Sequence, residues 1–333
     1  MNIFSLHSPL EIAVSLLPVF VFLAALIFLD TFKLLRLRSV LISILFGMAG
    51  AVCAHLVSLI PAQNYHLLAP VVEESLKALY LIYLIKEKRI GFMVDGAIHG
   101  FAIGAGFSLV ENLLYLDTLT SQNILLWVIR GFGTAMMHGG VTAIAGIITY
   151  HLSSRLKSFR FTVVVPGLFA AMILHAIYNL FILPPVVSTV ILMVALPVLI
   201  MIIFQKSEES TRAWLGAGFD MDVDLLEMIL SGNLPDTRLG NYFRSLQQHF
   251  PGEIIADMLC LLRIHLELSV RAKGILLMRE QGFTIEPAED VRANFQEMYY
   301  LQKNIGRTGY LAVAPLLHRS NRDLWQIHML HNQ

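Results

Sequence analysis

Seven stretches of this chain are apolar for long enough to cross a bilayer as helices: 9–29, 39–60, 67–85, 92–116, 124–150, 161–183 and 186–204. A hydrocarbon core about 30 Å thick needs about 20 helical residues, and a helix satisfies its own backbone groups where there is no water. The expected fold class is therefore all-α, a polytopic membrane helix bundle of about seven spans. Charge sharpens the boundary. Residues 1–204 hold 11 Lys/Arg and 8 Asp/Glu, whereas the last 129 hold 13 and 16. That step predicts a membrane domain over 1–204 and a soluble helical domain over 205–333. A soluble enzyme, a disulfide scaffold and a disordered regulator are excluded. The balance of 24 basic and 24 acidic side chains gives no electrostatic reason to bind nucleic acid.

The connections between spans sort by charge. Lys33, Arg36 and Arg38 follow the first span, Lys86, Lys88 and Arg89 the third, Arg155, Lys157 and Arg160 the fifth, and Lys206 the seventh. The alternate connections carry almost no basic residues. By the positive-inside rule the N-terminus is outside and the tail cytoplasmic, so a multi-pass cell-membrane protein is expected. Nothing before residue 9 resembles a basic leader, and the first span is expected to be retained. Cys53 and Cys260 fall in different compartments and are not expected to pair.

Gly96, Gly100 and Gly104 recur at a spacing of four in the fourth span, and Gly131, Gly139, Gly140 and Gly146 lie in the fifth. Small residues at this spacing let helix backbones approach closely, which predicts these two spans at the centre of the bundle. The tail reads as helices over 222–230, 236–249, 252–281 and 287–305, the third a core helix because Asp257, Arg263, His265 and Glu267 interrupt it. The tail is a candidate surface for forming a homodimer, and no catalytic signature marks it.

Ionisable groups inside a bilayer cost about 2.5–3.5 kcal/mol each on insertion scales, so each needs a reason. The third span carries Glu73, Glu74 and Lys77, and the lysine can reach either carboxylate but neutralise only one. The fourth carries Phe107, Glu111 and Asn112, the fifth His138, and the sixth His175 and Asn179, which share a helical face. Counting turns from the outer surface places Glu73, Glu74, Glu111 and His175 in one layer of the outer half, with His138 nearer the midplane. Asp95 and His99, one turn apart, read as a local hydrogen-bonded pair.

Several intramembrane chemistries fail for want of residues. No HExxH, GxGD or GxSxG occurs, and the seventh span has no lysine for a retinal Schiff base. A proton-coupled transporter would also place acids and histidines in mid-membrane, but the chain has no internal repeat.

The ordered set EExxK (Glu73, Glu74, Lys77), FxxxE (Phe107, Glu111), His138 and HxxxN (His175, Asn179) resembles the PrsW family of intramembrane proteases. It is similar, more distantly, to the type II CAAX prenyl endopeptidases. Thr142 stands where PrsW members can carry an acid four residues beyond the fifth-span histidine. The resemblance implies site-1 type cleavage of a membrane-anchored protein, for example an anti-sigma factor, near the outer face. It implies a single-pass membrane protein as substrate and partner. On this reading Glu73 or Glu74 activates a water, Lys77 holds the other carboxylate, Glu111 positions the water, and His175 with Asn179 receives the oxyanion. The metal-free mechanism is preferred because the compact HxxH or HxxxH pairs of zinc hydrolases are missing. Zinc remains the alternative, with Glu74, Glu111, His138 and His175 as its ligands.

Overall fold

The computed structural model describes residues 17, 20–25, 27–28, 37–60, 65–116, 124–154, 156, 159–180, 182–283, 290–317 and 321–331. Among them run, in order, α1 Leu37–Ser58, α2 Tyr65–Lys86, α3 Met93–Leu116, α4 Ile124–Ser154, α5 Val164–Asn179, α6 Pro185–Leu230, α7 Arg238–Leu246, α8 Gly252–Glu280, α9 Asp290–Leu317 and α10 Asn321–His331. No strand occurs among the described residues, so the chain is an all-α polytopic bundle. It divides into two compact units, Met1–Glu208 and Glu209–Gln333.

Five described helices are long and apolar enough to cross a membrane, namely α1, α3, α4, α6 and the segment Phe161–Asn179 that contains α5. The expected third span, α2, has 22 residues and thus the length, but concentrates Glu73, Glu74 and Lys77. The expected first span lies largely outside the described residues.

In the first unit α3 packs against α4 and α1, α4 against α5, and α2 against α1 and α5. The glycines explain why. A Cβ on Gly104 would meet the backbone of His138, one on Gly100 that of Thr142 and Ala143, and one on Gly96 that of Gly146. A Cβ on Gly47 or Gly106 would likewise run into the backbone at Ile103 or Ile44 where α1 crosses α3. Helices without side chains at their crossing approach until their backbones touch. As a result 89% of the most apolar 18 residues of α3 and 78% of those of α4 are buried, against 17–39% for the other three. The expected central pair is the observed one.

The turn from α2 to α3 is fixed by its own residues. Lys88 takes a left-handed conformation (φ 56°), its N–H bonding to Ile85 and that of Arg89 to Leu84, which closes α2. Asp95 then accepts from the N–H groups of Gly91 (2.8 Å) and Phe92 (3.1 Å), capping α3, while the Tyr150 hydroxyl donates to the Gly91 carbonyl. His99 bonds instead to Ser43 at 2.7 Å. The expected Asp95–His99 pair is therefore two separate contacts, because the free N–H groups at the start of α3 are the nearer claim on the aspartate.

In the second unit α8 is the core helix, burying Met258, Leu261, Leu262, Leu266, Leu268 and Leu276. The expected piece at 222–230 is the end of α6. The expected helix at 287–305 continues to Leu317, broken at Gly306 (φ 65°, ψ −179°). Thr237 caps α7 by accepting from Gly240 N at 3.0 Å.

Candidate active site

Six of the seven expected residues converge, each delivered by a buried helix face. Lys77 lies at the centre, 1% exposed. Its ammonium donates to Glu74 Oε1 and, at 2.9 Å, to His138 Nδ1, and it stands 4.6 Å from the centroid of the Phe107 ring. A lysine ammonium has only donors, so Nδ1 of His138 accepts and the ring proton sits on Nε2. That proton is donated to Glu111 Oε2 at 2.5 Å. The position of Thr142, where relatives of the resembled family can carry an acid, is thus compensated from another helix: Glu111 supplies the carboxylate, and Thr142 donates to the His138 carbonyl at 2.8 Å.

On α5 the buried positions Val164, Gly167, Ala171 and His175 recur every three to four residues and turn the histidine inward. His175 Nδ1 donates to Glu74 Oε1 at 2.7 Å, so one carboxylate oxygen serves both Lys77 and His175. In the neutral ring this leaves Nε2 with its lone pair, 3.8 Å from Glu73 Oε2. The two imidazoles meet edge to face with centroids 4.9 Å apart.

The cluster is layered. The side chains of Lys77, Glu74, His138 and His175 are at most 2% exposed, while Glu73 is 15% and Glu111 22% exposed. The outer carboxylates are the ones open at the surface of the cluster. His138, expected deeper, belongs to the same cluster. Asn179 lies one turn beyond His175 at the end of α5, exposed and outside the hydrogen-bond network. Sequence reasoning missed one brace: Thr134 donates to Asn112 Oδ1 at 2.8 Å, tying α3 to α4 one turn from His138. Two polar residues flanking Glu111 and His138 inside apolar spans were the available signal.

The family model of the PrsW family intramembrane metalloproteases matches residues 36–204, half of the chain. The chain belongs to the PrsW family. The PrsW match runs from the start of α1 into the apolar part of α6 and contains every residue of the cluster, and residues 205–333 lie outside it. No curated protein and no solved structure matches the chain. Membership makes it a protease, a peptide hydrolase of the membrane.

A PrsW metalloprotease needs a place for its metal, and the residues present fit one. Glu73 Oε2 is buried without a hydrogen-bond partner among the described residues, an arrangement that leaves a carboxylate oxygen desolvated and unused. One donor atom each from Glu73, His138 and His175 lies within 4.8 Å of the others. Two imidazoles and a carboxylate are a donor set of catalytic zinc sites, and the Glu74 contact to the far nitrogen of His175 is the carboxylate support such ligands usually have. Of the ligands expected for zinc, Glu74 is already engaged by Lys77 and His175, and Glu73 is the carboxylate with a donor to spare.

Proposed function

We propose that this PrsW-family protease hydrolyses a peptide bond in a single-pass membrane protein, close to the outer face of the membrane, in the manner of a site-1 protease. The observation that carries the reading is the layered cluster: a sealed Glu74–Lys77 pair behind two oriented imidazoles, with partly exposed Glu73 and Glu111 in front.

Glu73, His138 and His175 would hold a divalent metal of the zinc class, His138 by giving up its bond to Lys77 and keeping the one to Glu111. When bound, such an ion supplies a Lewis acid that makes water acidic near neutrality. The chain's own residues do the rest. Glu74 fixes the His175 tautomer through Nδ1, leaving Nε2 open. Lys77 donates to Glu74 and holds that carboxylate against His175. Glu111, partly exposed, takes a proton from the attacking water and returns it to the leaving amine, the work of a general base and then acid. Asn179, exposed one turn from His175, offers its amide to the oxyanion.

The test is metal analysis of purified protein beside cleavage of a membrane-anchored reporter, for the natural chain and for Glu73→Ala and His175→Ala. Stoichiometric zinc lost from both variants together with cleavage is the expected result. Full activity in metal-free protein would return the mechanism to a water activated by glutamate alone. Unchanged cleavage in both variants would end the protease reading of this cluster.

A further inference from the structure

Phe107 lies on α3 one turn before Glu111, and neither the metal nor the proton transfers above give it a task. It is buried, but burial alone would be served by any large apolar side chain. Its contacts ask for an aromatic one. The Lys77 ammonium stands over the ring, 4.6 Å from the centroid. The His138 imidazole lies 4.9 Å from the same centroid, tilted by 41°. Small residues of α1 give the ring its room: Ala51 and Ala54 share one buried apolar cluster with it, and a Cβ on Gly50 would come within 3.8 Å of its Cδ2. With its neighbours packed this closely, the ring is held against both the lysine and the histidine.

An ammonium has three N–H donors and no acceptor. Among the described residues Lys77 gives one to Glu74 Oε1 and one to His138 Nδ1, and the face of Phe107 is its remaining neighbour of negative character. That face carries the negative part of the ring quadrupole and attracts a cation most strongly where water is excluded. Binding a metal through His138 takes one of these partners away, because the histidine then gives up Lys77. The lysine side chain is sealed, so water cannot stand in for the lost acceptor, and a buried charged donor left unmet is costly. Glu74 and Phe107 are the partners that remain.

We propose that Phe107 is a positioning residue for the metal centre: its π face keeps the Lys77 ammonium when His138 leaves the lysine for the metal. The inference rests on the metal reading given above and adds to it a residue that ligates nothing.

The test replaces Phe107 in the full-length protein by para-fluoro- and trifluorophenylalanine, which keep the shape of the ring and drain its face of negative charge. A para-methylphenylalanine control adds bulk at the same place and keeps the charge. Zinc affinity is read in detergent micelles by competition with a chromophoric chelator, His175→Ala subtracting zinc held elsewhere, and thermal unfolding of the metal-free protein is followed beside it. A desolvated cation–π contact is worth about thirtyfold in an equilibrium. The trifluoro ring and Phe107→Leu should therefore weaken zinc by about tenfold and the single fluorine by about threefold, while the methyl ring binds as the natural chain does. The metal-free protein should unfold at nearly the same temperature along the fluorinated series, because Lys77 then has both Glu74 and His138. Equal zinc affinity along that series would overturn the proposal and leave the metal reading standing. So would equal losses for the methyl and trifluoro rings, which make bulk the cause, or a metal-free stability that falls in step with zinc affinity, which makes the contact structural. A natural chain that binds no zinc at this site would overturn both readings together. If Phe107→Leu does not fold, the nearly isosteric fluorinated rings still decide.

Discussion

Lys77 is a cation sealed among helices, and what it touches defines its job better than its charge does. It ties Glu74 on its own helix to His138 on another, and through Glu74 it reaches His175 on a third. Lys77→Met would strand Glu74 as a buried, uncompensated carboxylate, and breaking such a pair costs about 3–5 kcal/mol. Adding Glu74→Leu should restore most of the thermal stability, because an apolar pair of similar volume is close to neutral there. Cleavage should stay lost in the double variant, since His175 then has no partner for Nδ1 and His138 keeps only Glu111. Unfolding temperature and reporter cleavage in the same preparations check both halves; recovered cleavage would make the pair a structural tie alone. The residue types of this site were legible in the sequence, because ionisable groups are rare in apolar spans and six of them fell in motif order. Their division of labour was not. That Lys77 bonds to a histidine in another helix, or that Glu111 rather than position 142 supplies the carboxylate, depends on the rotation of each helix about its axis, which spacing within one helix does not fix.

Between elements, the crossing of α3 and α4 carries the site. Gly104 faces the backbone of His138 itself, so Gly104→Ala pushes on a residue of the proposed site without touching a side chain of the cluster. Overpacking of this kind costs about 1–3 kcal/mol, and a displacement of about 1 Å can cost about 100-fold in rate. The expected outcome is kcat reduced by more than about tenfold with KM little changed, in protein that still folds. Gly216→Ala is the contrasting case: the glycine lies inside α6, exposed, with nothing within 4 Å of an added Cβ. It should raise stability by about 0.5–1 kcal/mol and leave cleavage alone. A calorimetric scan of both variants separates them. Glycine spacing made the central pair readable in advance. The buried Asp222–Lys273 pair of the second unit was not readable, because its two members come from different helices and neither stands out by its spacing.

For the molecule as a whole, the two cysteines provide a topological assay. Both are exposed, Cys53 within α1 and Cys260 within α8. If the basic connections face the cytoplasm, a membrane-impermeant maleimide should label Cys260 in inside-out vesicles and not in intact cells, and Cys53, inside a span, in neither. Labelling of Cys260 from outside would invert the topology and move the catalytic layer to the inner half of the membrane. The burial of α3 has a further consequence, one that concerns biogenesis. The two spans most enclosed by protein, α3 and α4, are also the least apolar of the five, whereas the most apolar, the start of α6, is the least buried. Lipid solvates the outer helices, but glycine-rich α3 is solvated by its neighbours. It must therefore be retained in the membrane by helices made before and after it, so that insertion of the chain and assembly of the active site become a single cooperative event.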